Sequence, residues 1–318
     1  MVRSAVALAL LTLLAIALSI ALLPPGEQRL TLAFAGDMML GRSVGEANAE
    51  GGWDEILAAL APYATAADLA FANLESPLTG RPLVEATYDL RASPEAVVAL
   101  QSAGFDLVSL ANNHALDAGR DGLDETLQAL QTVGIGAVGP GDEVLHSTVQ
   151  HVTLAWIAFD DVRVPLDAAR VFELVANARG RGDLLIVSIH WGSEFERSPS
   201  DRQRMLAEGM AAAGADLIVG HHAHVLQPVE WIWGLGRGRP TLVAYGLGNA
   251  VFDQGTPPQT RLGVTLLVMV GTAGVLEVEA IPHAIEPGSW RTVPAGPLLS
   301  TKAASSLNLA CEWVRGCQ

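Results

Sequence analysis

The segment Gly214–Gln227 has the sequence Gly-Ala-Asp-Leu-Ile-Val-Gly-His-His-Ala-His-Val-Leu-Gln. Its apolar run Leu217–Val219 predicts a short buried strand, which is followed by Gly220 and then by three histidines within four residues. Sites in open α/β sheets form just past the carboxyl ends of strands, and imidazoles at positions i and i+2 of a turn can converge on a metal ion. We therefore predict that His222 and His224 are metal ligands.

Taken alone, this segment has a second interpretation, because histidines in a surface loop can bind metal nonspecifically or not at all. Acidic and imidazole residues at other strand ends decide between the two interpretations. Four further predicted strands are each followed by such residues: Leu30–Ala35 by Asp37, Asp68–Ala72 by Glu75, Phe105–Leu110 by Asn113 and His114, and Asp183–Ile189 by His190.

The candidate ligands comprise three imidazoles, two carboxylates and one amide. This set is too large for a structural zinc site, which closes with four ligands and commonly contains cysteine. It suits two divalent ions that share one carboxylate, an arrangement that activates a water and stabilises both oxygens of a phosphoester displacement. The sequence therefore predicts a dinuclear metal centre.

The composition excludes one class of partner. The 318-residue chain is 50% hydrophobic and 17% charged, with a formal net charge of −15 and a sequence pI near 4.8. This balance argues against a nucleic-acid partner, because phosphate binding needs clustered basic residues, and Lys302 is the only lysine. An anionic substrate would need local help from metal ions or from arginines such as Arg42.

The N-terminus contains an apolar run, Ser4–Leu23, directly after Arg3. A helix needs about 20 such residues to cross a bilayer. The run ends in Leu-Leu-Pro-Pro without a clear small-x-small cleavage site, which favours an uncleaved single-pass membrane anchor over a cleaved signal peptide. Either alternative places the rest of the chain outside the cytoplasm, as a cell-membrane protein or as a secreted one, because the positive end stays inside.

Strands alternate with helices through most of the body, which predicts an α/β fold. We expect an anchor and linker at residues 1–29, a domain at 30–285 and an irregular C-terminal tail at 286–318. Thr148–Phe159 is expected to be one strand that carries His151 on a face. Cys311 and Cys317 could close a small loop as a disulfide or remain free thiols. Helices are predicted at Trp53–Tyr63, Pro94–Ala103, Leu123–Val133, Asp167–Ala178 and Ser200–Ala213.

Six motifs between Leu30 and Gln254 together resemble those of the CapA family of bacterial capsule and poly-γ-glutamate synthesis proteins, which are related to the calcineurin-like metallophosphoesterases. The motifs are Gly36–Arg42, Asn73–Glu75, Ala111–Asp117, His190–Glu194, Gly220–Val225 and Gly246–Asp253. The resemblance implies a four-layer α/β/β/α metallophosphoesterase-like sandwich with a dinuclear site for Mn²⁺, Fe²⁺, Zn²⁺ or Mg²⁺.

The resemblance also implies roles for the candidate residues: Asp37 binds one ion, Glu75 bridges, Asn113 and His190 bind the second ion, His222 and His224 complete the two shells, and His114 is the general acid or orients the phosphate. The chain departs from the phosphoesterase pattern in two ligands. Met39 stands where that superfamily usually has histidine, and Glu75 stands where it usually has aspartate. Ala223 and Ala250 replace the Pro and Phe that are frequent in CapA relatives.

Three functional hypotheses follow. The first is a membrane-anchored, extracytoplasmic, metal-dependent hydrolase of phosphoester-type bonds. The second is a non-catalytic component that binds polymer or assists export within a complex of capsule or poly-γ-glutamate synthesis proteins. The third is a degenerate site that binds no metal.

Overall fold

The computed structural model describes residues 29–84, 87–139, 141–234 and 238–317. The predicted anchor Ser4–Leu23 lies outside these ranges. Within them, none of the helices has both the length and the apolar character needed to span a bilayer.

Two β-sheets form the centre of the fold in these ranges. Within the described residues, the first has eight strands: its main path begins with three antiparallel strands and ends with four parallel ones. A short strand off this path, β11 (Asn249–Val251), pairs with the end of β1 (Arg29–Met38). The main path runs β14 (Thr292–Pro294), β13 (Gly274–Ile285), β12 (Leu262–Gly271), β1 (Arg29–Met38), β2 (Leu69–Leu74), β3 (Leu107–Ser109) and β4 (Gly136–Val138).

Among the described residues, the second sheet has six strands, with parallel neighbours at its centre and an antiparallel strand at each edge. Its central strands are buried along nearly their whole length, as expected for parallel strands covered on both faces. The order is β5 (Leu145–Val149), β6 (Val152–Asp160), β7 (Leu184–His190), β8 (Leu217–His221), β10 (Thr241–Leu247) and β9 (Leu226–Ile232).

Helices cover the outer faces of both sheets. Asp167 and Ser200 act as N-caps, and the second forms a capping box with Gln203. Within the described ranges, the α-helices are α1 (Arg42–Asn48), α2 (Ala61–Ala64), α3 (Val97–Ala103), α4 (Gly119–Thr132), α5 (Ala168–Ala178), α6 (Asp201–Ala213) and α7 (Pro297–Leu307). Short 3₁₀ turns lie at Trp53–Glu55, Pro94–Ala96, Pro258–Arg261 and Cys311–Trp313.

In the part of the chain that the structure describes, three hydrophobic cores fill the space between these layers. The middle core joins the two sheets through Phe34, Phe71 and Trp156, whose ring centroids lie 5.3–6.1 Å apart. One outer core packs α3 and α4 on the first sheet, and the other packs α5 and α6 on the second. The layers therefore run helix, sheet, sheet, helix, and the predicted α/β class is confirmed.

Three sequence-based expectations were wrong in detail. Thr148–Phe159 is not one strand, because Gln150 and His151 form the turn between β5 and β6 with φ values of 45° and 72°. His151 is therefore a turn residue. The predicted helix Trp53–Tyr63 is a 3₁₀ turn followed by other turns and the short α2.

The tail at residues 286–318 is also more ordered than expected. It contains β14, α7 and a disulfide between Cys311 and Cys317. The buried side chains Ala303 and Leu307 of α7 belong to the core between the sheets. The composition of the tail alone gives little indication of α7, because packing against distant parts of the chain stabilises this helix.

Candidate metal centre

Asp37 lies at the end of β1, where that strand meets β2 and β11. Its register partners are Asn73 and Asn249, and the residue is 1% exposed. Gly36 permits this arrangement, since a Cβ at that position would lie 1.9 Å from the carbonyl oxygen of Gly248. The N–H of Asp37 donates to that same oxygen at 3.0 Å. The close contact between the two glycines therefore positions Asp37.

Glu75 follows β2 directly and lies beside Asp37. Its N–H donates to the carbonyl oxygen of Met38 at 2.8 Å, which fixes its backbone against β1. The side-chain amide of Asn73 lies 2.9 Å from Asp37 Oδ1 and 3.2 Å from Glu75 Oε1. One buried amide thus links the two carboxylates.

His190 is supplied by the second sheet. It ends β7, pairs in register with His221 of β8, and is 1% exposed. Its Nε2 lies 3.9 Å from Glu75 Oε1. Asp37, Glu75 and His190 each offer a ligand atom, and these three atoms lie within 4.8 Å of one another. The carboxyl ends of strands from both sheets therefore meet at one site.

His222 and His224 lie in the turn after β8. Both have positive φ values, 89° and 55°, which are uncommon for residues other than glycine and frequent at functional sites. The N–H of His222 donates to Asp37 Oδ2 at 3.1 Å, and His224 Nδ1 lies 3.3 Å from that oxygen. Together with Glu194, the two histidines form a second group whose ligand atoms lie within 4.8 Å of one another.

The two buried carboxylates titrate in opposite directions. Burial raises the pKa of Asp37, but hydrogen bonds and positive charge from His221 and His224 outweigh it and hold that pKa well below its usual range. Burial, and then the negative charge of Asp37, raise the pKa of Glu75 well above its usual range. Two acids so close together therefore need added positive charge before both can ionise.

The three imidazoles also differ. Burial lowers the pKa of His190 well below its usual value, and burial together with the charge of His224 lowers that of His222 to about 4. Burial also acts to lower the pKa of His224, but Glu75 and Asp37 outweigh it and raise that pKa to about 9. His190 and His222 are therefore neutral near pH 7, the form that coordinates metal, whereas His224 must lose a proton to do so.

Asn113 and His114 lie in the loop between β3 and α4. Asn113 Nδ2 lies 3.0 Å from His114 Nε2, and His114 Nδ1 lies 2.8 Å from Asp117 Oδ2. His114 is also near enough to His222 for its charge to lower the pKa of that residue. The predicted general acid, His114, therefore lies within hydrogen-bonding distance of the buried carboxylate of Asp117 and near the turn that carries His222 and His224.

Arg42 is not a free cation. Its guanidinium forms an ion pair with Asp253, and its Cζ lies 5.5 Å from the ring centroid of Phe252. That ring and the imidazole of His224 lie edge to face, with centroids 4.7 Å apart. Arg42 therefore lies near the site with its charge partly neutralised by Asp253.

The buried atoms of the site fit a metal ligand set. A buried polar atom without a partner is costly unless something binds it. Met39 is one residue that departs from the phosphoesterase pattern, and its Sδ accepts from the backbone nitrogen of Gly41 at 3.1 Å. Among the described residues, the buried side-chain atoms at the site without a hydrogen-bond partner include Glu75 Oε2, Asn113 Oδ1, His190 Nε2 and His222 Nδ1.

Several residues of the site were not predicted as site residues. Asn73 lies two residues before the predicted ligand Glu75, so the two share a face of the chain as it leaves β2, and this spacing was a usable signal. His221 lies 3.4 Å from Asp37 Oδ1 and belongs to the triplet that the sequence singled out. For Glu194 no local signal distinguished an exposed acid from a ligand.

A family model and curated relatives point to the same protein family. A family model described as "Bacterial capsule synthesis protein PGA_cap" matches residues 31–254. The "PGA biosynthesis protein CapA" of Bacillus subtilis (strain 168) is 34% identical over 249 residues, which cover 71% of this chain and 64% of that protein. The "Capsule biosynthesis protein CapA" of Bacillus anthracis is 30% identical over 295 residues, which cover 84% and 70% of the two chains. This chain thus spans less than two thirds of the B. subtilis relative.

The fold of this chain is similar to that of a solved structure. The crystal structure of a hypothetical protein from Thermus thermophilus matches with a TM-score of 0.52 at 16% sequence identity. The match covers 79% of this chain and 98% of that one. At this identity the likeness supports the α/β fold and carries no information about function.

Proposed function

The chain belongs to the bacterial capsule synthesis protein family PGA_cap, and from this premise we propose that it is a dinuclear metal-dependent hydrolase of phosphoester-type bonds in capsule or poly-γ-glutamate biosynthesis. The proposed fold type is the metallophosphoesterase-like sandwich, for which the helix, sheet, sheet, helix layers are the support. The partners proposed are other proteins of capsule or poly-γ-glutamate synthesis.

One observation carries the hydrolase proposal. Asp37, Glu75 and His190 form one group of potential ligands, and Glu194, His222 and His224 form a second. His224 Nε2 lies 3.9 Å from Glu75 Oε2, so the two groups adjoin. A single buried imidazole would be ordinary, but two adjoining groups with unpartnered ligand atoms suit two divalent ions.

Different residues of the chain would have different roles in the reaction. Asp37, Glu75, Asn113, His190, His222 and His224 would hold the ions. When bound, divalent ions would supply positive charge for the oxygens of the phosphoester and for an attacking water. His114 would deliver a proton to the leaving oxygen, with Asp117 holding the imidazole in place.

We also propose that the protein is anchored in the cell membrane by residues Ser4–Leu23, with the metal centre outside the cytoplasm. The Cys311–Cys317 disulfide supports an extracytoplasmic location, because structural disulfides persist in oxidising compartments. A secreted protein with a cleaved signal peptide is the alternative. The intact mass of the membrane-fraction protein distinguishes the two, because cleavage would remove the N-terminal segment.

A second function is favoured by the relatives' names, which describe biosynthesis and not hydrolysis. In this alternative the protein is a non-catalytic component that binds polymer or assists export. Deletion of the gene would then change the amount of surface polymer, while purified protein would show no hydrolysis.

The test of the hydrolase proposal uses the full-length chain in detergent. Bound metal is measured by mass spectrometry, and hydrolysis of mono- and bis-phosphoesters is followed with added Mn²⁺. The matched control is the double variant His222→Ala, His224→Ala, which removes two ligands. A rate above this control supports the proposal. Equal rates for both proteins across both ester types, with metal bound only to the wild type, would overturn it.

A further inference from the structure

A cavity lies outside the metal centre. It has a volume of about 530 Å³ and lies where β9 approaches the ends of β12 and β13, beneath α7. Val225, one of its lining residues, directly follows His224 in the chain. Leu262, Ile285 and Leu299 contribute apolar surface. We call this space the cationic cavity, because Arg197, Arg261 and Lys302 also line it.

These three cations are unusual for this protein. The chain carries 34 acidic and 19 basic residues, yet no acidic side chain from its described part lines the cavity. Elsewhere arginines are typically paired with carboxylates, as Arg202 is with Asp161. Within the described ranges, Arg197, Arg261 and Lys302 form no ion pair with an acidic residue. The cavity therefore concentrates uncompensated positive charge in an acidic molecule.

The cations come from three separate segments. Arg197 lies in the loop between β7 and α6, Arg261 ends the 3₁₀ turn Pro258–Arg261, and Lys302 lies on α7. A guanidinium binds a carboxylate through two parallel hydrogen bonds, whereas an ammonium acts as a compact charge. A ligand with several anionic groups could therefore engage more than one segment at once.

We propose that the cationic cavity binds a linear polycarboxylate, with carboxylates on Arg197, Arg261 and Lys302 and methylene groups on Leu262, Ile285 and Leu299. A glutamate polymer has both parts, since each repeat joins one carboxylate to a short run of methylenes. Inorganic polyphosphate has the charge without the apolar surface. The inference rests on the proposed role in capsule polymer synthesis for the identity of the anion, and it does not require hydrolase activity.

The test measures binding of a short fluorescent poly-γ-glutamate oligomer to the full-length chain by anisotropy. The variant is Arg197→Gln, Lys302→Gln, which removes two exposed charges from the cavity. The matched control is Arg120→Gln, Arg181→Gln, which removes two exposed arginines that line no part of the cavity and have no ion pair in the described chain. Both variants change the net charge equally.

We expect the cavity variant to bind the oligomer about tenfold more weakly, because two charge-assisted contacts are lost, and the control to bind like wild type. Added salt should weaken binding. Equal affinity of the two variants would overturn the inference. So would equal binding of an uncharged glutamine oligomer, or binding of polyphosphate or anionic vesicles without binding of poly-γ-glutamate. Phosphoester hydrolysis is measured on the same samples, so failure of the hydrolase proposal is seen separately.

Discussion

The side-chain nitrogen of Asn73 lies 2.9 Å from Oδ1 of Asp37, and both residues are buried at the adjoining ends of β1 and β2. The oxygen of the Asn73 amide accepts from Asn112 Nδ2 at 3.1 Å, which fixes which end of the amide faces the carboxylates. Asn112 in turn donates to the carbonyl oxygen of Leu74 at 2.8 Å. A chain of amides therefore orients the first acid of the proposed metal centre.

Replacing Asn73 with leucine keeps the volume of the side chain and removes its donor. We expect Asn73→Leu to weaken Mn²⁺ binding about 10- to 100-fold, the usual effect of losing a residue that orients a metal ligand. Isothermal titration calorimetry on metal-free protein measures this change.

Asn48 provides the control, because its amide is buried and donates to the carbonyl oxygen of Val44 at 2.8 Å, away from the proposed ligands. Asn48→Leu should lower stability without changing metal affinity. If both variants bound Mn²⁺ like the wild type, Asn73 would have no role in orienting Asp37.

The contact between Gly36 and Gly248 predicts a second effect. A Cβ added to Gly36 would lie 1.9 Å from a backbone oxygen, so β1 and the segment before β11 would have to separate. Gly36→Ala should lower the free energy of unfolding by about 1–3 kcal/mol, as overpacking of a close contact does, and should weaken metal binding as well. Urea unfolding and metal titration measure the two effects.

Gly80→Ala is the matched control, since nothing lies within 4 Å of a Cβ at that exposed position. Its stability should stay within about 0.5 kcal/mol of wild type. Similar losses in the two variants would show that the Gly36 contact has no special importance.

The strand-end rule explains why much of the site could be predicted from the sequence. Buried parallel strands such as β7 and β8 are unbroken apolar runs, so their ends are visible in the sequence. The polar residues that follow, such as His190 and His222, then stand out because a site forms where strand ends meet. The structure places the side chains of Asp37, Glu75, His190 and His224 close together, and their role as metal ligands stays a prediction.

The remainder depends on contacts that are distant in the sequence. Asn73 and Asp37 are 36 residues apart, and only the register of β1 with β2 makes them neighbours. The strand β9 was not predicted, because Gln227 and Glu230 interrupt its apolar pattern and it pairs at a sheet edge. Helix α7 was assigned to an irregular tail because packing against both sheets, not local propensity, stabilises it.

His283 of β13 predicts a pH dependence of stability. Burial lowers the pKa of His283 to about 4, whereas an unfolded chain has a histidine pKa of about 6.5. Between these values the unfolded chain binds the proton more readily, so this residue's contribution to stability is complete above pH 6.5 and is lost as the pH falls towards 4. At about pH 5 the loss should be about 2 kcal/mol.

The measurement compares urea unfolding of metal-free wild type and His283→Gln at about pH 7.5 and about pH 5. Glutamine can still donate to the carbonyl oxygen of Asn249, the 3.0 Å partner of His283 Nε2, but it does not titrate. Wild type should therefore lose about 2 kcal/mol more than the variant between the two pH values. Equal losses in both proteins would contradict the assignment.

The last prediction concerns the pair formed by His114 and Asp117. Asp117 Oδ2 lies 2.8 Å from His114 Nδ1, so the carboxylate holds a proton on Nδ1 and orients the ring with Nε2 towards Asn113. If His114 is the general acid, Asp117→Asn should lower kcat about 10- to 100-fold, and His114→Gln should lower it about 100-fold or more, with KM nearly unchanged. Neither change should alter the amount of bound metal, since neither residue is a proposed ligand.

Asp121→Asn is the control, because this exposed acid lies on α4 nearby in sequence, and it should retain wild-type kcat. A loss of metal that parallels the loss of kcat in Asp117→Asn would assign the pair to the structure of the metal centre and not to proton transfer.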